Sequence, residues 1–312
     1  MTRHEQRWQS AQLERPKNKT FPMTQTKASH LRSLLRTGRL LAGVGARDAL
    51  DARLIEDAQF DFVWASSFCI SAANCVPDSS ILSMTQFLDA ARAMNEAVRL
   101  PIVFDADTGY GNEQNVAYAT KRIEEAGLAA LCIEDKVFPK RSSLRAGASH
   151  DLLPIEEFTR KIKSAVSARE SEDFVVIART EALIAGLGQE EALRRADAYE
   201  EAGADCILLH SKDKSPSEVV QCLRAWTGKA RFVLVPTNYP DLTEPMIEEL
   251  GKVAMVIYGN HCVRAAVKAV RDVLSEMRAA RGIHTVGDRL ATVDEVFSLQ
   301  QDFANSEMVK EV

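Results

Sequence analysis

The 312-residue sequence predicts an α/β protein with a (β/α)8 TIM-barrel fold. Eight short apolar runs alternate with amphipathic segments, and most of the runs contain no regular alternation with polar residues. Near-continuous apolar runs are typical of strands that are buried on both faces, as the strands of parallel sheets are. Eight βα units in succession favour closure into a barrel of about 250 residues. The alternative is an open doubly wound sheet, but Gly43-Val44-Gly45-Ala46-Arg47 lacks the third glycine of a dinucleotide-binding turn.

The predicted strands are rich in Val, Ile, Leu and Phe. They are Leu40–Val44, Phe60–Ser66, Ile102–Asp107, Ala130–Asp135, Phe174–Thr180, Cys206–His210, Phe232–Thr237 and Met255–Asn260. Almost every one ends in polar or charged residues, which is where a TIM barrel places its catalytic groups.

The predicted helices have an apolar face that repeats with the helical period. They are Asp48–Asp57, Gln86–Val98, Glu113–Ala126, Pro154–Arg169, Gln189–Ala202, Ser215–Trp226, Glu244–Leu250 and His261–Ala280. Gly127 and Gly203 follow the third and fifth of these, at positions where glycine typically ends a helix. A final amphipathic stretch, Thr292–Phe303, is expected to pack on the barrel or on another subunit.

The chain is predicted to contain one domain. Residues 1–28 mix Gln, Arg, Lys, Thr and Pro without periodicity, which predicts a disordered N-terminal tail. Residues 29–312 are then a single (β/α)8 barrel with a C-terminal helical extension.

Composition and charge exclude several classes of partner. A net charge of −5 does not suit a nucleic-acid binder, which needs a basic face. No apolar run approaches the roughly 18 residues of a membrane helix, so no membrane partner is expected. The six cysteines form no CxxC pair and have no zinc-finger spacing, which favours a reduced, cytoplasmic enzyme of small molecules.

Acidic residues follow two neighbouring predicted strands. Asp105 and Asp107 are two residues apart, so on one strand they point the same way, and Glu134 ends the next strand. Three converging carboxylates repel one another unless a cation lies among them. Oxygen ligands of this kind suit Mg²⁺, with Mn²⁺ or Co²⁺ as alternatives. The alternative to a metal site is that these acids cap helices or pair with Lys136 and Arg179.

A possible anion site follows the fifth and sixth strands. Arg179 and His210 at one rim would supply a guanidinium and an imidazole to an anionic group. The alternatives are an ion pair of Arg179 with Glu134 or Glu181, and a hydrogen-bonded core histidine.

A long segment, residues 136–150, joins the fourth strand to its helix. Loops of this length are usually functional lids or disordered. Lys140, Arg141 and Arg145 make this one basic, so we expect it to close over an anionic substrate. A mobile, solvated loop is the alternative.

Five motifs end predicted strands or begin the loops after them: residues 105–112 (DADTGYGN), 134–140 (EDKVFPK), 178–182 (ARTEA), 210–212 (HSK) and 235–237 (VPT). Together they resemble the phosphoenolpyruvate mutase/isocitrate lyase superfamily over essentially the whole barrel. The resemblance implies an eighth helix swapped between subunits, a tetramer built as a dimer of dimers, Mg²⁺, and chemistry through the enolate of a 2-oxo acid.

The resemblance also implies a role for each of twelve residues. The metal shell, partly through water, would be Asp105, Asp107 and Glu134. The wall and amide donors around the oxo-acid carboxylate would be Trp64, Ser66, Ser67 and Phe68. The phosphoryl clamp would be Arg179 and His210, with Asp78 beside the reacting phosphorus. The gating loop would contribute Lys140 and Ser142.

The gating loop separates the branches of the superfamily. Lyases carry a cysteine there, and Lys140-Arg141-Ser142-Ser143-Leu144 has none, so C–C lyase chemistry is not expected. Mutases carry Asn at the position of Ser142. The branch that hydrolyses phosphonopyruvate carries Thr followed by Ser-Leu-Arg, which the sequence from Ser142 resembles with a smaller hydroxyl.

The resemblance therefore implies Mg-dependent cleavage of the P–C bond of phosphonopyruvate, giving pyruvate and phosphate. Three alternatives stay open. They are the mutase reaction, a lyase or hydrolase of another 2-oxo or 2-hydroxy dicarboxylic acid, and a non-catalytic binding module. The presence of the carboxylates together with Lys140, Arg179 and His210 argues against the last.

Overall fold

A computed structural model describes residues 25–143 and 151–300. Helix α1 (Lys27–Arg36) begins within the segment that was predicted as a tail, because Thr26 accepts a hydrogen bond from the backbone N–H of Ser29 and caps the helix. Residues 1–24, 144–150 and 301–312 lie outside the described residues, so the rest of the predicted tail, Arg145 of the loop and the end of the predicted last helix do too.

The predicted barrel is confirmed. Eight parallel strands pair in chain order, and the eighth closes on the first. The strands are β1 (Leu41–Ala46), β2 (Phe62–Ala65), β3 (Ile102–Asp105), β4 (Ala130–Glu134), β5 (Val175–Thr180), β6 (Cys206–Leu209), β7 (Arg231–Leu234) and β8 (Val253–Tyr258). Each strand overlaps one of the predicted apolar runs, with ends that differ by a few residues.

Eleven α-helices occur in the described residues. After α1 they are α2 (Ala49–Asp57), α3 (Ser67–Ala73), α4 (Met84–Ala97), α5 (Glu113–Glu125), α6 (Ile155–Ala168), α7 (Gly188–Glu201), α8 (Ser217–Ala225), α9 (Glu244–Leu250), α10 (His261–Ala280) and α11 (Val293–Leu299). The predictions did not include α1 or the short α3, which follows β2 directly. Nothing in the described part of the chain forms a helix long and apolar enough to cross a bilayer.

The barrel interior determines where the polar residues point. Alternate strand residues such as Val103, Cys132, Ile177 and Leu208 fill the interior, and Leu31 of α1 packs against this inner cluster. Side chains on a strand alternate between its two faces, so the next inward position after each of these four is polar. Those positions are Asp105, Glu134, Arg179 and His210, all buried or half-buried.

The ends of β1 and β8 approach each other closely at Gly45. A Cβ atom there would lie 2.0 Å from the carbonyl oxygen of Gly259, so a larger residue would force the backbone apart. Gly45 thereby lets Gly259 and Asn260 approach the barrel axis at the rim.

Helix α10 makes little contact with its own barrel. Of its 20 residues only Val263 is buried. Val267, Val270 and Leu274 form an apolar stripe and expose 49%, 57% and 58% of their surface. Exposed apolar stripes of this kind usually mark a surface that another molecule covers.

Candidate active site

One cavity lies at the C-terminal ends of the strands. Its volume is about 70 Å³, a small cavity of the size that suits a small acid. The predicted site residues that line it are Trp64, Ser66, Ser67, Phe68, Asp78, Asp105, Glu134, Lys140, Arg179 and His210. The lining residues to which no role had been assigned are Ser143, Val235, Thr237, Ile257, Gly259 and Asn260. Asp107 and Ser142 are the two predicted site residues that are not part of the wall.

The acidic residues gather on one side of this cavity. Asp105 ends β3, Glu134 ends β4, and both are buried. The predicted third strand was two residues too long, because Asp107 lies in the turn after β3 with a φ of 50°. Asp adopts this left-handed conformation more readily than most residues. The turn directs the Asp107 carboxylate towards the gating loop instead of along the barrel axis.

Lys140 of the gating loop lies among the acids. Its Nζ is 2.6 Å from Oδ1 of Asp107 and 2.8 Å from Oδ1 of Asp78, and it donates to Oγ of Ser67 at 3.0 Å. Burial alone would lower the pKa of Lys140, but the neighbouring carboxylates outweigh it and raise that pKa well above its usual value. The described part of the loop is therefore closed over the cavity and held by charge.

The acids carry more negative charge than Lys140 neutralises. Burial, together with the charges of Asp105, Asp78 and Glu134, raises the pKa of Asp107 to about 7. Oε1 of Glu134 is buried without a hydrogen-bond partner in the described structure, and neither carboxylate oxygen of Asp107 accepts a hydrogen bond there. Buried carboxylate oxygens in this condition fit a divalent cation.

The acids do not form a complete metal cage by themselves. In the ranges 25–143 and 151–300, no three acidic, histidine or cysteine side chains are arranged to hold an ion together. Water or substrate oxygens would have to complete the coordination. That arrangement is usual for Mg²⁺, which keeps several waters and takes one or two carboxylates.

Arg179 and His210 lie together at the cationic side of the cavity. Nη2 of Arg179 donates to Nδ1 of His210 at 3.0 Å, and its Nε donates to Oε1 of Glu181 at 2.5 Å. The same Nε is 3.4 Å from Glu134. The predicted ion pair is thus present, and Arg179 still lines the cavity. The anion site and the ion pair are not exclusive.

His210 offers a hydrogen-bond donor to the cavity. A guanidinium has no lone pair with which to accept, so Nδ1 of His210 accepts from Arg179 and the proton of the neutral ring is assigned to Nε2. Nε2 is buried and has no hydrogen-bond partner in the described residues. Burial and the charge of Arg179 lower the pKa of His210, which keeps the ring neutral.

Two further residues, Glu181 and Ser143, complete this cluster. Glu181 is fully buried and accepts a hydrogen bond from Oγ of Ser143 at 2.5 Å, with Nζ of Lys136 2.9 Å away. Burial would raise the pKa of Glu181, but Arg179 and Lys136 outweigh it and hold that pKa well below its usual value. Sequence reasoning named Glu181 only as an alternative partner for Arg179.

The gating loop presents Ser143 to the cavity, whereas the sequence analysis assigned a role to Ser142. Ser143 is buried and accepts a hydrogen bond from Nη2 of Arg179 at 3.2 Å. Ser142 is half-buried and lies outside the cavity wall. Two adjacent serines in a loop without periodicity give no signal for which one points inward.

Ser67 fixes the position of Asp105. Its backbone N–H and its hydroxyl both donate to Oδ2 of Asp105, at 3.2 and 2.8 Å. This amide is therefore used within the protein and does not point freely into the cavity. On the opposite wall, Oγ1 of Thr237 is buried without a partner in the described structure. Its place just after β7 is the signal by which it could have been found.

Comparisons with known proteins agree with this geometry. A family profile described as phosphoenolpyruvate phosphomutase matches residues 31–278. The chain is 50% identical to phosphonopyruvate hydrolase of Variovorax sp. (strain Pal2), over 89% of this chain and 96% of that protein. It is 40% identical to phosphoenolpyruvate phosphomutase of Tetrahymena pyriformis, over 90% of this chain and 94% of that protein. A crystal structure of phosphonopyruvate hydrolase with oxalate and Mg²⁺ superposes with a TM-score of 0.84 at 49% identity, covering 88% of this chain and 95% of that one.

Proposed function

The chain belongs to the phosphoenolpyruvate phosphomutase family, and on this premise we propose that it is a phosphonopyruvate hydrolase that uses Mg²⁺. The observation that carries the proposal is a single small cavity with carboxylates on one side and Arg179 with His210 on the other. Phosphonopyruvate has matching ends, because its 2-oxo acid can chelate a cation and its phosphonate is an anion. The identity to a hydrolase of that substrate supports the same assignment.

The reaction cleaves one bond to phosphorus and forms another. The P–C bond breaks and its electron pair passes into the neighbouring ketone, giving pyruvate enolate. The oxygen of a water molecule bonds to phosphorus, and a proton from that water ends on the methylene carbon, giving pyruvate and phosphate. When bound, Mg²⁺ supplies the Lewis acidity that stabilises the enolate charge.

The acidic side of the cavity would hold the cation and the oxo acid. Asp105, Asp107 and Glu134 have the buried oxygens for this, and Ser67 keeps Asp105 in place. The oxalate in the related crystal structure has the same chelating pair of oxygens as pyruvate enolate. Trp64, in the inner core cluster, and Phe68 would form the apolar part of the wall at this end, with the polar Ser66 beside them.

The cationic side would hold the phosphonate. Arg179 donates from a fixed guanidinium, and Nε2–H of His210 is free to donate to a phosphoryl oxygen. In phosphoryl transfer the protein has little covalent chemistry to do at the phosphoryl group. Catalysis at this end therefore depends on positioning and electrostatics. Asp78, paired with Lys140 in the cavity wall, would lie beside the reacting phosphorus.

The gating loop decides between hydrolysis and the mutase reaction. If water reaches phosphorus, phosphate forms, and if the enolate oxygen recaptures phosphorus, phosphoenolpyruvate forms. We assign hydrolysis because the loop places the hydroxyl of Ser143, next to Ser142, in the cavity wall, where it can orient water, and because residues 136–150 contain no Asn amide to bind phosphoryl oxygens.

Ser142→Asn is expected to shift the products from phosphate towards phosphoenolpyruvate. Ser142 lies outside the cavity wall, directly before Ser143, and the longer Asn side chain would bring an amide within reach of the departing phosphoryl group and exclude water. The ratio of the two products is measured by ³¹P NMR with phosphonopyruvate and Mg²⁺. Ser83→Asn is the control, because Ser83 caps α4 on the surface and Asn caps equally well. An unchanged ratio in Ser142→Asn would contradict this role for the loop.

The function itself is tested by a stoichiometric assay with the full chain. Phosphonopyruvate and Mg²⁺ are expected to give equal amounts of pyruvate and phosphate, and EDTA is expected to stop the reaction. Phosphoenolpyruvate as the main product would make the chain a mutase. Turnover of another 2-oxo or 2-hydroxy dicarboxylic acid, without turnover of phosphonopyruvate, would overturn the substrate assignment.

The chain is also proposed to be a homo-oligomer in which α10 is swapped onto a neighbouring barrel. A groove between α3 and α10 is lined by four apolar residues, Phe68, Ala72, Val263 and Val267, and by four charged ones, Arg264, Lys268, Arg271 and Asp272, and the apolar stripe of α10 continues from it. A second copy would cover both surfaces, and two such dimers would give the tetramer. All six cysteines are free, which supports a reducing, cytoplasmic location.

Leu274→Lys is expected to lower the molar mass of the protein in solution. A charge in the apolar stripe would be buried without a partner in the assembly. Analytical ultracentrifugation of wild type and variant measures the change. Leu187→Lys is the control, because Leu187 is similarly exposed but precedes α7, away from the stripe. A monomeric wild-type protein would contradict the swap.

A further inference from the structure

A second polar cluster lies behind the cavity, between the barrel and its helices. Asp135 follows Glu134 and therefore points to the opposite face of the sheet, where it is fully buried. Its Oδ2 accepts hydrogen bonds from Nη1 of Arg195 at 3.0 Å and from the hydroxyl of Tyr199 at 2.7 Å. Both donors belong to α7, and the cavity wall includes neither of them.

The partners of Asp135 are themselves held firmly. Nε of Arg195 donates to Glu191 at 2.8 Å, and its Nη1 also donates to the carbonyl of Leu153 at 3.1 Å. The ring of Tyr199 packs edge-on against Phe158, with centroids 4.8 Å apart. The Asp135 carboxylate is thus held by two donors of α7, and one of these donors, Tyr199, is in turn packed against α6.

The same carboxylate holds the end of β5. Its Oδ1 accepts the backbone N–H of Glu181 at 2.9 Å, and its Oδ2 accepts the hydroxyl of Thr180 at 3.0 Å. On the inner face, the Glu181 carboxylate orients Arg179 and contacts His210 at 3.6 Å. A displacement of Asp135 would therefore move Glu181, and through Glu181 it would move Arg179 at the phosphonate end of the cavity.

The gating loop is anchored at the same place. The carbonyl of Asp135 accepts the N–H of Leu153, just after the loop, at 2.8 Å. Lys136 donates from Nζ to the carbonyl of Arg141 at 3.0 Å and to Oγ of Ser143 at 2.5 Å. The end of β4 thus ties both sides of the loop to the clamp.

We propose that Asp135, held by Arg195 and Tyr199, is a positioning residue that fixes Glu181 and through it the phosphonate clamp of Arg179 and His210. The proposal rests on the proposed function, since it assigns the clamp to the phosphonate. It predicts a selective defect. The rate of phosphoryl transfer should fall, while the affinity for a ligand that reaches only the acidic end should stay the same.

The test compares Asp135→Asn and Tyr199→Phe with wild type. We expect kcat for phosphonopyruvate to fall about 30-fold or more in Asp135→Asn and about 5-fold in Tyr199→Phe, because small misplacements of catalytic groups cost up to ~10²-fold. The inhibition constant of oxalate, which has no phosphoryl group, is expected to stay within about 3-fold of wild type, as for sites that do not share contacts. General loosening of the structure would instead weaken oxalate binding and kcat together.

Asp205→Asn is the matched control. Asp205 also accepts from two arginines and a backbone N–H, namely Arg32 at 2.7 Å, Arg169 at 3.0 Å and Val176 at 2.8 Å, but it precedes β6 at the other end of the barrel. It is expected to lower Tm as Asp135→Asn does, by roughly 5–10 °C, without changing kcat. Tyr258→Phe, which loses a 2.6 Å hydrogen bond to Glu244, is the control for Tyr199→Phe.

The outcomes separate the two proposals. If wild type does not release phosphate from phosphonopyruvate, the proposed function fails. If wild type is active but both variants keep wild-type kcat, or lose oxalate affinity as much as kcat, the positioning role of Asp135 is overturned. Should Asp135→Asn not fold, Tyr199→Phe decides alone, because it retains the buried charge pair of Asp135 and Arg195.

Discussion

Asp107→Asn is expected to reduce kcat/KM for phosphonopyruvate by ~10³-fold or more, about 4 kcal/mol of transition-state stabilisation. The substitution keeps the shape of the side chain and removes the charge that the cation needs. Asp107 is buried, and the one charge contact of its carboxylate in the described residues is the ion pair with Lys140, which keeps Asp78 as a second partner when that charge is removed.

Protein stability gives a second measurement for this substitution. Removing one of several mutually repelling carboxylates is expected to leave Tm in EDTA unchanged or higher, since functional sites are often locally unfavourable. The rise in Tm that Mg²⁺ produces in wild type should be lost, because ligand binding stabilises only the folded state. Asp89→Asn, the same change on the exposed face of α4, is the control. Activity within about 3-fold of wild type would remove Asp107 from the metal site, since loss of a carboxylate ligand costs more than that.

Arg179→Lys is expected to lower kcat/KM by ~10²–10³-fold, the usual cost of losing one donor aimed at developing charge. Lysine keeps the positive charge but cannot reach Glu181, His210 and Ser143 at once from a planar fork. His210 would also lose the donor that fixes its Nδ1 as an acceptor, and its Nε2–H would no longer be directed into the cavity.

Steady-state kinetics with phosphonopyruvate measures this effect, and the oxalate inhibition constant again serves as a test of the acidic end. Arg194→Lys is the control, because Arg194 pairs with Glu191 on the surface of α7 and is 64% exposed. Equal rates for Arg179→Lys and wild type would show that charge alone suffices, and the clamp assignment would then be wrong.

The strands were predictable because their signal is local. A doubly buried strand needs apolar residues on both faces, so each of the eight is visible as a short apolar run. Helix α1 was missed because its first two residues, Lys27 and Ala28, were placed in the predicted tail and no element was predicted for residues 29–36. Helix α3 was missed because its residues, SFCISAA, follow β2 directly and include no charged residue that would mark a solvent-facing side.

The site was predictable wherever it continues a strand. Asp105, Glu134, Arg179 and His210 are each the next inward position after an apolar core residue, so the two-residue period locates them. Pairing was not predictable in this way. From the sequence, Glu134 and Glu181 were equally possible partners for Arg179. In the structure the Arg179 guanidinium is 2.5 Å from Glu181 and 3.4 Å from Glu134. Glu181 is the nearer partner because the Asp135 carboxylate holds its backbone N–H.

By itself the sequence determined the barrel, the end of the barrel that carries the chemistry, and most of the side chains in the cavity. Only the tertiary structure decided that Ser143 reaches the cavity instead of Ser142, that Asp107 turns towards Lys140, and that Asp135 supports the clamp from behind. The physical reason is one of range. The direction of a strand side chain follows from its neighbours in sequence, whereas the reach of a loop and the choice of a buried hydrogen-bond partner are fixed only when distant segments close around them.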